Sequence, residues 1–528
     1  MTTRNFLDKT VQTLKRTKYV LLIICSLCYT LSCSLDYNPV DTYSDVTEGT
    51  ESGAADSAKV VFKDKAAVEN QRQVILNKLR DGQEHWYLDM LLLADSHADN
   101  AYAGSPNSET TPFEVNSIEG SNTNLYRDWN GHMGNVAAAN LLICNIDSVS
   151  DPALTAAEKR QFKAEAKIFR AMVYFDMVRI WGNVPLVTTV AGDILAETIE
   201  DVYTEYFPPQ TDEKTVYEQI EKDLLEALPD APDSNPADKT LLTKSVARAL
   251  LAKVYAEKPL RNYDNVIRYC DELAADGFDL IPDFGDLFGV VLADPSLPPG
   301  QDNRAVNAKA RNTKETILEA QFSPGNANWV TWMFGRPLED WTFYFEWAKW
   351  ITPSRDLTKA FRSEQGDKRL DESVVYYSCG WNIYYPADSY AFMYKCRSAY
   401  NSIIKFRFAD ILLLKAEALI MKGDLQSAAA IINRTRNRAG LGSLPASATA
   451  SQKALLDAYL KERRLELAFE GQRWFDLVRL DKVEEVLNSL KDEGRPALIY
   501  PYDANSYKLP IPQAVMDQNP NLVQNPGY

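Results

Sequence analysis

The segment of residues 406–421 is apolar around most of its circumference when it is drawn as a helix. Its apolar side chains fall in two rows at helical spacing, one with Ile411, Leu414 and Ala418 and the other with Leu412, Ala416 and Leu419. A helix that is apolar nearly all round offers no face to water and is buried between its neighbours. This segment therefore predicts a protein in which helices pack on helices.

Several other segments show the same helical spacing. We expect helices at residues 66–93 with a break near Asp81 and Gly82, and at residues 132–146, 156–181, 242–257, 263–275 and 425–439. Residues 242–275 and 406–439 are each a helix pair of about 34 residues with buried alanines, the basis of tetratricopeptide stacking. The predicted fold is all-α dominated, with a tetratricopeptide-like helical-repeat body.

Residues 280–400 differ from the helical regions on both sides. They are rich in Pro, Gly, Asn and aromatic residues and contain few long helical patterns. Long ordered loops on a rigid scaffold are where binding sites tend to lie. We therefore divide the predicted body, residues 61–528, into an N-terminal helical part (61–279), a loop-rich ligand-binding insertion (280–400) and a C-terminal part (401–528).

The N-terminal 32 residues have the pattern of a secretory signal. Five basic residues precede a run of 13 mostly apolar residues, 19–31, which is too short to cross a bilayer. Ser32 stands directly before Cys33, an arrangement that resembles a bacterial lipobox. We expect cleavage before Cys33 and lipidation of its thiol and amine. Residues 33–60, rich in Ser, Thr, Asp and Gly, are predicted to be a flexible spacer.

Charge and residue counts exclude several classes of protein. The chain of 528 residues carries a formal charge of −16, so phosphate would be repelled and nucleic acid is not an expected partner. The 3 histidines lack metal-ligand spacing, and no metal or cofactor is predicted. Seven cysteines are too few for a disulfide scaffold. Cys379 and Cys396 either pair or are buried as thiols.

Aromatic residues are concentrated in the loop-rich insertion. Nine of the 22 residues from 329 to 350 are aromatic, in a chain that averages 11%. Trp and Tyr rings cover the apolar faces of sugars, while nearby polar side chains bind the sugar hydroxyls. We expect ligand-binding rings at Trp329, Trp332, Trp341, Trp347, Tyr384 and Tyr390. The alternative is that these rings form the core of an irregular segment.

A polar loop at residues 93–104 is a second candidate. Its Asp95, His97 and Asp99 alternate as in a metal site, but the loop lacks the Gly and Glu of a calcium loop. Helix capping and turn formation explain these residues without a ligand. We nevertheless expect Asp99, Asn100 and Tyr102 to supply polar contacts to the ligand, and we assign no metal to the loop.

A dense charge pattern at residues 462–474 invites comparison with a glycosidase, which uses paired carboxylates. Glu462, Glu466 and Glu470 lie on one helical row, interleaved with arginines. Ion pairs around a packed helix explain this pattern better than catalysis. The sequence contains no Gly-x-Ser-x-Gly, phosphate-loop or dinucleotide-binding motif, and we assign no catalytic residue.

Seven segments together resemble the SusD/RagB family of nutrient-binding outer-membrane lipoproteins. In chain order they are residues 33–39, 165–186, 407–419, 433–440, 462–477, 509–512 and 519–528. They run in the family's order from Cys33 to the last residue.

The resemblance implies a body of four tetratricopeptide-like helix pairs and a surface-exposed position on the outer membrane of a Bacteroidetes-type cell, held by a lipid anchor. It also implies a SusC-like TonB-dependent transporter as partner, to which the protein delivers captured oligosaccharides without catalysis. Two other classes stay open from the residues alone, a secreted α-helical glycoside hydrolase and a tetratricopeptide adaptor for a protein partner.

Overall fold

Helices dominate the computed structural model, which describes residues 61–528 except 105, 193–198, 295, 297–304, 324, 331–349 and 381. The predicted signal (1–32) and spacer (33–60) lie outside the described residues. From Phe62 to Tyr528 the described chain forms one compact unit. The principal helices are α1 (Lys65–Asp81), α2 (Thr123–Asn145), α3 (Ala156–Trp181), α4 (Ile199–Tyr206), α5 (Glu213–Ala227), α6 (Lys244–Ala256), α7 (Tyr263–Ala275), α8 (Arg355–Arg362), α9 (Phe408–Lys422), α10 (Leu425–Arg438), α11 (Gln452–Glu466) and α12 (Arg473–Arg479). Shorter helices are Asp89–Leu91, Thr111–Glu114, Arg369–Ser373, Val483–Leu487 and Gln513–Gln518.

Helix α3 is the longest helix of the described residues. It begins at a capping box, in which the Thr155 hydroxyl accepts from the Glu158 N–H and the Glu158 carboxylate accepts from the Thr155 N–H. It ends at Gly182, whose φ of 73° suits glycine. Its C-terminal two-thirds are almost entirely buried. A buried ion pair between Arg170 and Asp223, at 2.7 Å, joins α3 to α5.

Most of the helices pack against helices that are close to them in the chain. Helix α3 packs against α2 and α5, α6 pairs with α7, and α9 packs against α7, α10 and α11. Alanines of α6 allow close approach, since Ala247, Ala249 and Ala252 are fully buried. The predicted helical-repeat fold is confirmed. Among the described residues, none of the helices combines the length and apolar character that a membrane crossing needs.

Short antiparallel strand pairs hold the connecting segments. The strands are β1 (Ala101–Tyr102), β2 (Val184–Pro185), β3 (Gln210–Thr211), β4 (Val290–Leu292), β5 (Ala305–Ala308), β6 (Thr316–Ala320), β7 (Thr352–Pro353), β8 (Val374–Tyr377), β9 (Tyr390–Met393) and β10 (Ile403–Arg407). They pair as β1–β7, β2–β3, β4–β5, β6–β10 and β8–β9. Strand β7 follows the aromatic segment, residues 329–350. Its pairing with β1 places the end of this segment beside the polar loop of residues 93–104.

Two of the three histidines are packed together in the core. The His85 and His132 rings lie 4.9 Å apart, and His132 also contacts the Trp86 and Trp181 rings. Neither ring nitrogen of His132 has a hydrogen-bond partner among the described residues. Burial lowers the pKa of His132 to about 4, with the charges of Asp176 and Lys405 as smaller, opposing effects.

We expect the His132→Phe variant to lose less stability than the wild type between pH 6.5 and pH 5. Between these pH values His132 becomes protonated in the unfolded protein but stays neutral in the folded protein, because burial lowers its pKa. The wild type is therefore destabilised as the pH falls. The difference is about 2 kcal/mol, at about 1.4 kcal/mol per pH unit. Urea unfolding of both proteins at several pH values measures it. Equal losses in the two proteins would contradict this assignment.

Candidate functional site

Both described ends of the aromatic segment, residues 329–350, are hydrogen-bonded to side chains of one short stretch of the chain. This stretch, residues 83–96, follows α1 and contains two π-helical turns, Glu84–Leu88 and Leu92–Ser96. The His97 N–H, for example, donates to the Leu92 carbonyl five residues earlier, at 3.1 Å. Such turns occur mainly as local widenings of a helix and are frequent at functional sites.

Trp329 stands at the beginning of the segment with 44% of its surface exposed. Its backbone N–H donates to Gln83 Oε1 at 2.8 Å, and Gln83 Nε2 donates to the Ala327 carbonyl at 3.3 Å. Gln83 itself is buried, so the backbone beneath the ring is fixed while the ring stays accessible. This is the geometry that a sugar-stacking ring needs.

Trp350 stands at the other end and was not among the predicted ligand-binding residues. Its indole Nε1 donates to Asp89 Oδ1 at 3.0 Å, and Arg127 pairs with the other oxygen of Asp89. Arg127 keeps 44% of its side chain exposed. We call Gln83, Asp89, Arg127, Trp329 and Trp350 the aromatic rim. The aromatic count pointed to Trp350, but nothing local in the sequence pointed to Asp89 or Arg127.

A carboxyl pair lies at the rim. Asp128 is buried and hydrogen-bonded to Asp89; burial, together with the charge of Asp89, raises its pKa well above the usual range. The carboxyl groups of a glycosidase stand about 5 Å or more apart, to leave room for sugar or water. Two carboxyls in hydrogen-bond contact are too close for that chemistry.

A small cavity of about 80 Å³ is lined by Val330, the residue that follows Trp329. Three buried lysines line it, and each is paired: Lys253 with Asp410, Lys395 with Glu470, and Lys405 with Asp176. Ligand pockets usually measure about 300–1,000 Å³, whereas a water needs only about 10–15 Å³. The cavity fits a few waters and not a sugar.

The polar loop of residues 93–104 is folded into the interior. Both carboxylate oxygens of Asp99 accept from Arg473, at 2.7 and 2.8 Å, and Arg464 Nε donates to Asn100 Oδ1 at 2.9 Å. Burial opposes the charge of Asp99, but Arg464 and Arg473 hold its pKa well below the usual range. Tyr102 is fully buried and donates to Asp492 at 2.7 Å. Within the described chain, no group of three or more His, Cys, Asp and Glu is placed to hold a metal ion.

The two predicted tyrosines are also interior. Tyr384 stacks on Tyr102, with ring centroids 4.4 Å apart, and donates to Glu114 at 2.9 Å. Tyr390 is almost completely buried and packs edge-on against Tyr385. The structure thus brings Tyr102 and Tyr384 together, but as a packed pair that joins the polar loop to the insertion. Ligand contact by these tyrosines, Asp99 and Asn100 stays a prediction, and it would require the interior to open.

Trp332, Trp341 and Trp347 lie outside the described residues, so their part in the site stays a prediction. Cys396 is buried, and its thiol donates to Asn328 Oδ1 at 3.3 Å. This contact favours the second alternative for Cys396, a buried thiol.

The glutamate row of residues 462–470 is confirmed as a set of buried ion pairs. Glu466 is fully buried and pairs with Arg369, Arg407 and Arg438. Glu462 accepts from Arg369 at 2.7 Å. The partners are therefore not the arginines of the same segment but arginines brought in from other elements.

Two family models match the chain. The model described as "SusD family" matches residues 393–528, and the model described as "Starch-binding associating with outer membrane" matches residues 51–256. A SusD-like protein P2 from Formosa agariphila is 29% identical over 424 residues, which is 74% of this chain and 78% of the relative. A SusD-like protein from Bacteroides ovatus is 23% identical over 523 residues, 90% of this chain and 85% of the relative.

Solved structures agree with this result at the level of the fold. Surface glycan-binding protein A from Bacteroides fluxus superposes with a TM-score of 0.70 at 20% identity, covering 88% of this chain and all of that protein. A laminarin-binding SusD-like protein superposes with a TM-score of 0.64 at 22% identity and the same coverage. The matched segments, the relatives and the helical stack agree, and the chain belongs to the SusD/RagB family.

Proposed function

We propose that this protein captures oligosaccharides at the aromatic rim and the adjoining tryptophans, without catalysis, and delivers them to a SusC-like TonB-dependent transporter of the outer membrane. The observation that carries the proposal is Trp329, a largely exposed indole on a backbone fixed by buried Gln83. An indole held in this way loses little entropy when it stacks on a sugar.

The polar residues of the aromatic rim supply hydrogen-bonding groups for the hydroxyls of a sugar. Arg127 is partly exposed and planar, and its donors suit hydroxyl oxygens. Pairing with Asp89 fixes the guanidinium, and Asp89 also fixes the Trp350 indole. The names of two structural neighbours, laminarin-binding and surface glycan-binding, support a glycan as the ligand class.

The proposal places the protein on the outer membrane through lipid on Cys33. The motif before Cys33 supports this anchor, as does the outer-membrane association in the description of one matching family model. Residues 33–60 would tether the body, and the SusC-like transporter would receive the ligand. Pull-down of a TonB-dependent barrel from outer membranes tests the partner.

Glycan turnover is the outcome that would favour a hydrolase instead. The Asp89–Asp128 contact argues against the two-carboxylate mechanism at the rim. Long incubation of protein with bound glycan, followed by product analysis, tests this point. Release of more moles of shorter sugar than of protein present would show turnover and would identify the protein as a hydrolase.

We expect the Trp329→Ala variant to bind its glycan about 1–3 kcal/mol more weakly, the scale of an aromatic anchor at an interface. Its melting temperature should change little, because the ring is largely exposed. Calorimetric titration of a panel of neutral oligosaccharides, with thermal unfolding of the same samples, measures both effects.

Tyr203→Ala is the matched control for this substitution. Tyr203 lies on α4 and is an exposed aromatic residue like Trp329, with 42% of its surface accessible. It should leave glycan affinity unchanged. Equal affinity of the Trp329→Ala variant and the wild type for every bound sugar would remove Trp329 from the site.

A further inference from the structure

A second groove lies away from the rim residues, between the loop of residues 116–121 and the C-terminal segments. Its volume is about 740 Å³, within the range of ligand pockets. The C-terminal wall is formed by Tyr500, Pro501, Asp503, Asn505, Ser506, Gln513, Gln524, Gly527 and Tyr528. No residue of the aromatic rim lines it.

Two exposed tyrosine rings face this groove. Tyr500 is 62% exposed and Tyr528 is 42% exposed. Of the described residues, only five aromatic side chains are comparably exposed, and the other three are Tyr203, Tyr206 and Trp329. Single exposed apolar groups are common on protein surfaces, but two rings in one concave groove mark a ligand site.

Polar groups with spare hydrogen-bonding capacity lie beside the rings. Ser117, Glu119 and Ser121 line the groove, and within the described chain their side chains form no hydrogen bond or ion pair. Asn505 is exposed and donates to Asp503 through its Nδ2, which leaves its amide oxygen to accept from a ligand. Rings flanked by hydroxyl, amide and carboxylate groups match the two surfaces of a sugar.

The walls of the groove are tied together before any ligand binds. The Asn116 side-chain amide donates to the carbonyls of Tyr500 and Pro501, at 3.1 and 3.3 Å, and to Ser506 Oγ. Asn116 has a φ of 51°, a left-handed conformation that Asn adopts more readily than most residues. A Cβ on Gly120 would lie 3.0 Å from the Ile511 carbonyl oxygen, so this wall also packs closely. A preformed groove avoids much of the ordering cost of binding.

The charge of the lining selects the ligand class. Glu119 and Asp503 line the groove, and no Lys or Arg among the described residues does. Phosphorylated, sulfated or uronic-acid ligands would be repelled by these carboxylates and would have no cationic side chain to pair with.

We propose that the groove is a second glycan site, which binds a neutral oligosaccharide by stacking on Tyr500 and Tyr528. Two sites on one chain would raise avidity for a long polysaccharide; this use of the groove rests on the proposed function.

The test uses the full-length chain, purified in a detergent without a sugar head group, in a Trp329→Ala background. Maltohexaose, cellohexaose and laminarihexaose are the probes, titrated by calorimetry. We expect at least one probe to bind the background protein, and to bind at least tenfold more weakly when Tyr500→Ala or Tyr528→Ala is added. Ser121→Trp, which places a bulky ring in the groove, should weaken the same probe. Tyr203→Ala is the control.

The outcomes separate the groove from the rim. If no probe binds the Trp329→Ala protein, or if the groove substitutions leave every affinity unchanged, the groove proposal is overturned and the rim is unaffected. If only the groove substitutions weaken binding and Trp329→Ala does not, the groove is supported and the rim is contradicted. Thermal unfolding of each variant tests whether the fold is retained. We expect the melting temperatures to change little, because Tyr500 and Tyr528 are exposed.

Discussion

Replacing Glu466 with alanine is expected to lower the free energy of unfolding by about 3–5 kcal/mol, because three buried arginines would each lose one of their carboxylate partners. Glu466 accepts from Arg407 at 2.6 Å and from Arg369 at 3.2 Å, and it also pairs with Arg438. All three arginine side chains are at most 4% exposed. Water therefore cannot compensate for the lost partner. Guanidinium unfolding followed by circular dichroism measures the loss.

Two further variants show that the lost charge causes this effect. Glu466→Gln keeps the volume of the side chain and should still destabilise strongly, so a cavity alone would not explain the loss. Asp457→Ala breaks the exposed pair between Lys453 and Asp457 on the same helix and should cost less than about 1 kcal/mol. A loss for Glu466→Ala no larger than that for Asp457→Ala would contradict the buried network.

The helices were predictable wherever local signals mark both ends. The bounds of α3 and α7 agree with the prediction, since a capping box at Thr155 and a capping side chain at Asn262 begin them. Helix α2 begins nine residues before the predicted start at His132. Its first turns carry buried Leu125 and Trp129 at helical spacing among mostly polar residues, and the prediction missed them although Asn122 caps the helix. The strands of the insertion are two to five residues long, too short for alternation to show.

Composition indicated the candidate site, but it did not indicate which residues contact one another there. Aromatic density drew attention to the segment that begins at Trp329, and only the structure reveals that this ring is exposed. Asp99 and Asn100 belong to a loop whose polar sequence suggests exposure, but the structure buries it. Arg464 and Arg473, more than 360 residues later in the chain, form the hydrogen bonds that satisfy these two buried side chains. A single sequence carries no signal for such a distant partner.

The second groove illustrates the same limit. Asn116 and Tyr500 are 384 residues apart in the chain but share a hydrogen bond, and neither lies in an aromatic cluster. Composition identifies a site when one segment supplies most of it. A groove assembled from two distant segments of ordinary composition becomes visible only when the fold brings them together.

The predicted lipid anchor of this protein depends on Cys33. Replacing Cys33 with alanine should release the protein from the outer membrane, because the acyl chains on this cysteine would supply the membrane affinity. Each buried methylene contributes about 0.8 kcal/mol, so losing more than one chain changes partitioning almost completely. Cell fractionation followed by immunoblotting measures the distribution. Cys28→Ala is the matched control, since Leu27 precedes Cys28 where a small residue is needed, and this variant should stay bound. A Cys33→Ala protein that remains in the outer membrane would require a different anchor.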